Sequence, residues 1–124
     1  MHFRMGVFDG RAFDRYISYM IDAETINDAV ELLRQAANPK KIVLFGSYAT
    51  GDCDEGSDVD FLVVEDEVDD VAGEMVRLLR VISPLRIPAD VIVISADDYE
   101  YWSDTPGNLM FEVERDGKVL YEAA

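Results

Sequence analysis

Cysteine is almost missing from this sequence. Cys53 is the only one among 124 residues, so no disulfide can form within the chain, and a reducing compartment, the cytoplasm, is the expected setting. Histidine is as scarce: His2 stands alone, which argues against a zinc site built on histidines. Long apolar runs are lacking as well. None approaches the roughly 18 residues that a membrane-spanning helix needs, and the opening MHFRMGVFDGRAFDRY has no unbroken apolar core of the signal-peptide kind. A soluble protein is expected. The fourth shortage is positive charge. Eleven basic residues face 26 acidic ones, and the resulting formal charge of −15 repels a phosphate backbone. DNA or RNA is therefore not expected as an extended partner, and a basic protein fits better. The length suits one domain with a single core.

What is there reads as one continuous pattern of helices and strands. Phe13, Tyr16, Ile17 and Met20 fall at helical spacing behind Asp9. The segment ETINDAVELLRQAANPKK repeats that spacing with Ile26, Ala29, Val30, Leu33 and Ala37, and Asn38-Pro39 stops it, because proline cannot continue a helix. A buried strand is expected over Ile42 to Phe45, and a second over VDFLVVE. Alternation puts Asp58, Asp60, Leu62 and Val64 on one face of the latter. Next, EVDDVAGEMVRLLRVIS sets Val68, Val71, Ala72, Met75, Leu78, Leu79 and Ile82 along one helical stripe. Pro84 and Pro88 then break the chain before the apolar strand ADVIVIS, whose one charge is Asp90. SADD resembles a capping box; in TPGNLMFEVERDG, Thr105 is the expected cap, Pro106 the first helical residue and Gly117 the stop. KVLYE closes as an edge strand. The expected fold is α/β (α+β), a mixed sheet of about four strands with helices mainly on one face.

The chemistry concentrates in VLFGSYATGDCDEGSDVDFLVV, residues 43–64. Gly46 and Gly51 are spaced like P-loop glycines, but Asp52 stands where that motif needs lysine. A calcium-loop reading of DCDEGSDVD also fails, since no register gives the required ligands. Asp52 and Asp54 lie in a loop and read as solvated charge. What remains is Gly46-Ser47, ten residues, then Asp58-Val59-Asp60 on a strand, with Asp90 opening another. Carboxylates at i and i+2 of a strand point the same way, and a third from a neighbouring strand completes an oxygen cage for a hard divalent cation such as Mg²⁺. Gly46 lets backbone donors approach a phosphate, and Ser47 adds a hydroxyl or else caps a short helix. These are the parts of a two-metal phosphoryl- or nucleotidyl-transfer site. Tyr48, Tyr99, Tyr101 and Trp102 read as packing residues, and Lys40, Lys41, Arg77, Arg80 and Arg86 as solvated.

FGSYATGDCDEGSDVDFLVVE resembles the G-S-x10-D-x-D signature of the DNA polymerase β-like nucleotidyltransferases, in particular their minimal nucleotidyltransferase (MNT) branch. The resemblance runs from about Thr25 to the C-terminus, so residues 1–22 are read as an N-terminal helical extension and 23–124 as the domain. It implies that Gly46 and Ser47 hold the triphosphate of ATP or another NTP. Asp58 and Asp60 would bind both of two Mg²⁺ ions, while Asp90 would bind one and help deprotonate the attacking hydroxyl. It also implies an antitoxin that transfers AMP from ATP to a tyrosine of a HEPN-domain ribonuclease toxin, or that neutralises the toxin by binding alone. A homo- or hetero-oligomer is compatible with it. One departure stands out: many relatives read G-S-x-A-R-G, and this chain has Thr50 in place of the arginine, a residue suited to neutralising phosphate.

Overall fold

In the computed structural model the described residues are 20–124. Apart from Met20, the helix expected over Asp9–Met20 lies outside them. The first described helix, α1 (Ala23–Ala37), is capped by the Asp22 carboxylate, which accepts from the Thr25 amide at 2.8 Å. It buries Ile26, Ala29, Val30 and Leu33, one stripe at the expected spacing, and ends on Asn38 in the left-handed conformation. Burying a side chain such as Leu33 contributes about 1.5–3 kcal/mol, so this stripe is what fastens the helix to the sheet.

Strand β1 (Lys41–Phe45) leads into the single-turn helix α2 (Ser47–Thr50), and β2 (Val59–Glu65) follows a loop. Helix α3 (Val71–Ile82) and a 3₁₀ turn, Ser83–Leu85, return the chain to β3 (Ala89–Ser95). Two shorter helices, α4 (Ala96–Ser103) and α5 (Leu109–Asp116), precede β4 (Lys118–Glu122). The sheet order is β3-β2-β1-β4, with β2 and β3 parallel and the other pairs antiparallel, which makes it mixed and leaves β4 at an edge as expected.

The strand pleat divides the core in two. Ile42, Leu44, Val59, Phe61, Val63, Val91 and Val93 pack with α1 and α3, the long helices. Val43, Leu62 and Val64 face the other way, against Tyr99 of α4 and Met110 and Val113 of α5. Helix α5 approaches β1 closely at its end, where a side chain on Gly117 would lie 2.5 Å from the Val113 carbonyl oxygen and 2.7 Å from Val43.

Three local expectations need correction. The stripe on α3 is narrower than its sequence suggests, because Leu78 and Ile82 are buried while Val71, Ala72 and Leu79 are exposed. Only the side turned to β3 and α1 is covered. Helix α5 is capped by Asn108, whose side-chain oxygen accepts from the amides of Met110 (2.9 Å) and Phe111 (3.2 Å). Thr105 and Pro106 instead sit in a turn that Gly107 carries at φ +93°. Finally, Lys41 and Arg77 are not simply solvated. The Lys41 ammonium lies 5.3 Å from the Tyr99 ring centre, and Arg77 donates to Glu74 and, at 3.1 Å, to the Ala36 carbonyl, tying α3 to the end of α1.

Candidate functional site

The end of the sheet where β1 finishes and β2 and β3 begin gathers the residues that stood out in the sequence. Phe45 pairs with Asp60, and Asp60 pairs in register with Asp90 on the parallel neighbour. A hydrogen bond from the Val59 amide to the Pro88 carbonyl, 3.0 Å, locks the starts of the two strands together. Residues opposite each other on neighbouring strands share a face, so the Asp60 and Asp90 side chains leave the sheet on the same side, together with Asp58 two residues earlier. That side is the one α4 and α5 cover further along. Asp58 and Asp90 are exposed and Asp60 is half-buried.

Three acidic side chains so arranged repel one another. The carboxyl of Asp60 is pushed up to about 6, first by burial and then by the charges of Asp90 and Asp58. Among the described residues, no three acidic, histidine or cysteine side chains close into a finished metal cage. The donor set still suits a hard divalent ion: carboxylate oxygens only, with Asp60 half-buried beside the charges of Asp58 and Asp90.

Gly46 has the backbone to fit this place. Its φ of 75° and ψ of −156° belong to a region essentially reserved for glycine. A Cβ there would fall 2.3 Å from an oxygen of Asp60, so the turn after β1 passes directly over that carboxylate. Gly46, with no side chain to offer, occupies the cap position of α2, and Ser47 is the first helical residue rather than its cap. The Gly46 carbonyl accepts from the amides of Ala49 and Thr50.

Beside this turn lies a cleft of about 410 Å³. Gly46, Ser47, Thr50 and Asp52 form one wall; Leu109, Glu112 and Asp116 of α5 belong to the other. The Thr50 hydroxyl donates to Asp52 at 3.1 Å. Sequence reasoning missed the α5 wall. Its only signal was the spacing of Glu112 and Asp116, four apart on one helical face, and nothing in that spacing says which strand end the face meets. Asp54 folds its loop locally, accepting from the Gly56 amide at 2.9 Å and from the Ser57 hydroxyl at 3.2 Å. Tyr48 and Tyr99 are buried as expected of packing residues, whereas Tyr101 and Trp102 are exposed and stacked edge to face. A second cleft, of about 450 Å³, lies at the opposite end of the strands near Lys41, Tyr99 and Glu114; Asp58, Asp60 and Asp90 line neither cleft.

A family model described as "Nucleotidyltransferase domain" matches residues 25–115. The chain belongs to the nucleotidyltransferase-domain family. Among curated relatives of this nucleotidyltransferase-domain protein is one from Methanocaldococcus jannaschii named, by inference, as a protein adenylyltransferase; it is 36% identical over 53 residues, 43% of this chain and 52% of the relative. The matched stretch thus spans about half the length of that relative. Among solved structures, an inferred nucleotidyltransferase from Sulfolobus solfataricus superposes with a TM-score of 0.61 at 21% identity, covering 94% of this chain and 93% of the other. A toxin–antitoxin structure with AMP-PNP gives 0.56 at 22% identity, covering 78% and 73%. A MntA–HpeT toxin–antitoxin variant gives 0.55 at 21%, covering 84% and 75%. These structural likenesses establish the fold. No described helix is long and apolar enough to cross a membrane.

Proposed function

We propose that this nucleotidyltransferase-domain protein moves AMP from ATP to a tyrosine hydroxyl on a HEPN-type ribonuclease toxin and so acts as its antitoxin. The observation that carries the reading is the in-register pairing of Asp60 with Asp90, with Asp58 beside them and Gly46 pressed against the Asp60 carboxylate. The M. jannaschii relative's name and the AMP-PNP-containing toxin–antitoxin neighbour point the same way.

In this reading Asp58 and Asp60 would hold two Mg²⁺ ions, Asp90 would hold one of them, and Gly46 and Ser47 would receive the triphosphate. When bound, the ions would offset the carboxylates' charge and polarise the phosphate oxygens. The acceptor oxygen attacks the α-phosphorus in line, the bond to pyrophosphate breaks, and Asp90 helps take the hydroxyl proton. In this reading the acceptor tyrosine is brought by the partner.

A second reading keeps the fold and the partner but not the chemistry. The high negative charge and Thr50 favour it: an acidic surface covers a basic ribonuclease groove with fast, salt-sensitive association. One experiment separates the two. The protein is incubated with α-labelled ATP, Mg²⁺ and a candidate HEPN toxin, and wild type is compared with Asp58→Asn. Transfer of label to the toxin in wild type, lost in the variant, is the expected result. Unlabelled toxin inhibited equally by both proteins means binding alone.

A further inference from the structure

The two edges of the sheet are built differently. Strand β4 carries Lys118 and Glu122 at its ends, and its pairing with β1 shifts register at Ile42/Val43. Charge and irregularity of this kind keep a strand edge from accepting another chain. Strand β3, at the other edge, runs seven residues in unbroken register with β2, and Asp90 is its one charge. Backbone groups of successive strand residues point to opposite sides. The Pro88 carbonyl is turned to β2, where it accepts from the Val59 amide, so Ala89, Val91 and Val93 present their N–H and C=O groups outward. Among the described residues no strand pairs with that edge.

Helix α3 stands over the same edge. It packs on β3, while α1 lies toward β4, and Arg77 reaches back to the Ala36 carbonyl of α1. The flank turned away from α1 carries Ala72, Val76 and Leu79 at i, i+4 and i+7, all exposed. An open strand edge and an apolar helix flank thus form one surface. Its charge is divided along its length: residues 65–74 hold six acids and no base, and residues 75–89 hold three arginines and no acid. Arg77 is taken by Glu74, whereas Arg80 and Arg86 have no ion-pair partner among the described residues. A surface acidic at one end, basic at the other and apolar between is complementary to itself turned through 180°. A second copy fits it, and a partner charged with one sign throughout does not.

We propose that two copies of this chain associate about a two-fold axis beside β3, the strands pairing antiparallel and the α3 flanks meeting near Val76. An axis at Ile92 sets Val91 opposite Val93 of the second copy, where the outward groups exchange both hydrogen bonds, and the two four-stranded sheets run on as one. Along the helices Leu79 comes opposite Ala72 of the second copy, large against small, and Arg80 comes toward its Asp69. One strand and one helix flank make a strip only about 20 Å long. That is small beside the roughly 800 Å² per partner of a standard interface, so a micromolar dimer is expected rather than a tight one.

Sedimentation velocity of the full-length chain, from about 5 to 500 µM at about 0.15 M salt, tests this; the salt screens the long-range repulsion between two chains of −15 each. Amide exchange is followed by NMR on the same samples. Wild type is compared with Leu79→Glu and, in a Cys53→Ser background, with Val76→Cys and with Val119→Cys on the other sheet edge. The expected result is a concentration-dependent dimer, with exchange at Val91 and Val93 slowed only at high concentration. Leu79→Glu places two like charges in one contact and should associate at least about tenfold more weakly, with an unchanged melting temperature at low concentration. Oxidation should cross-link the chain through position 76 and not through 119.

A chain that stays monomeric to the highest concentration overturns the proposal. So does a dimer that Leu79→Glu leaves intact, or one that cross-links through 119, because another surface then joins the copies. Protection of Val91 and Val93 that is equal at every concentration means that the chain covers this edge itself, and protection that appears only with an added toxin gives the edge to that partner; either result removes the dimer. Should Leu79→Glu unfold, the cross-link and the exchange rates decide alone.

Discussion

Replacing Gly46 by alanine tests how tightly the turn after β1 is bound to the acidic site. The backbone there, at φ 75° and ψ −156°, costs a residue with a Cβ about 1–3 kcal/mol. The added methyl would also meet the Asp60 carboxylate at 2.3 Å. A side-chain end gives way more easily than backbone, so Asp60 is expected to turn aside, at a cost of about 0.5–1.5 kcal/mol for leaving its rotamer. The sum, about 1.5–4.5 kcal/mol, is a large part of the roughly 5–15 kcal/mol that stabilises an ordinary domain. The assay is urea unfolding of Gly46→Ala, Asp60→Ala and the double variant. With Asp60 already shortened, the alanine should cost only its backbone strain, leaving a coupling of about 0.5–1.5 kcal/mol between the two sites. An equal cost in both backgrounds, or a total below about 0.5 kcal/mol, would refute the argument that the turn rests on the carboxylate. Under the proposed function, Mg²⁺ titration of the same proteins adds an independent reading: a displaced Asp60 should weaken metal affinity even where the fold survives.

Two further outcomes follow from other parts of the molecule. Glu65, at the far end of β2, is pushed up to about 7 by burial and by sharing its proton with Glu74, and its Oε2 is buried and otherwise unpartnered. Its folded value exceeds the unfolded one near 4.5, so its contribution to stability is complete below pH 4.5 and is lost as pH rises toward 7. Allowing for solvent screening, Glu65→Gln should add about 1–2 kcal/mol at pH 8 and flatten the dependence between pH 5 and 7, as thermal melts across that range would reveal. Asn108→Ala removes the acceptor for two amides at the start of α5 and should cost about 1 kcal/mol in denaturant unfolding; a change within a few tenths would mean the cap is not needed.

Much of this fold is legible from local pattern. Strands β1, β2 and β3 are short, apolar and bounded by glycine, proline or charge, so their period of two survives translation into three dimensions. The alternation that puts Asp58 and Asp60 on one side of β2 becomes informative once β3 is its neighbour, because parity alone then brings Asp90 alongside. Other features depend on what packs against what. Leu79 repeats at core spacing on α3, yet nothing covers that flank, and it stays exposed. Thr105-Pro106 has the chemistry of a helix start, but the left-handed turn at Gly107 delays the helix to Leu109. Glu112 and Asp116 could not be assigned to the site from sequence, because their position depends on α5 meeting β1 some seventy residues away in the chain.

The close approach at Gly117 makes the two sides of the cleft unequal in packing. A carbonyl and a valine methyl stand where any side chain at that position would go. The end of helix α5 is thereby packed against Val43 and the Leu44 carbonyl of β1. The opposite rim runs into the exposed Asp52–Ser57 loop, which is held by its own short turns. A change in the width of the cleft would come from that loop, so substitutions meant to reshape it belong in residues 52–57, with position 117 left untouched.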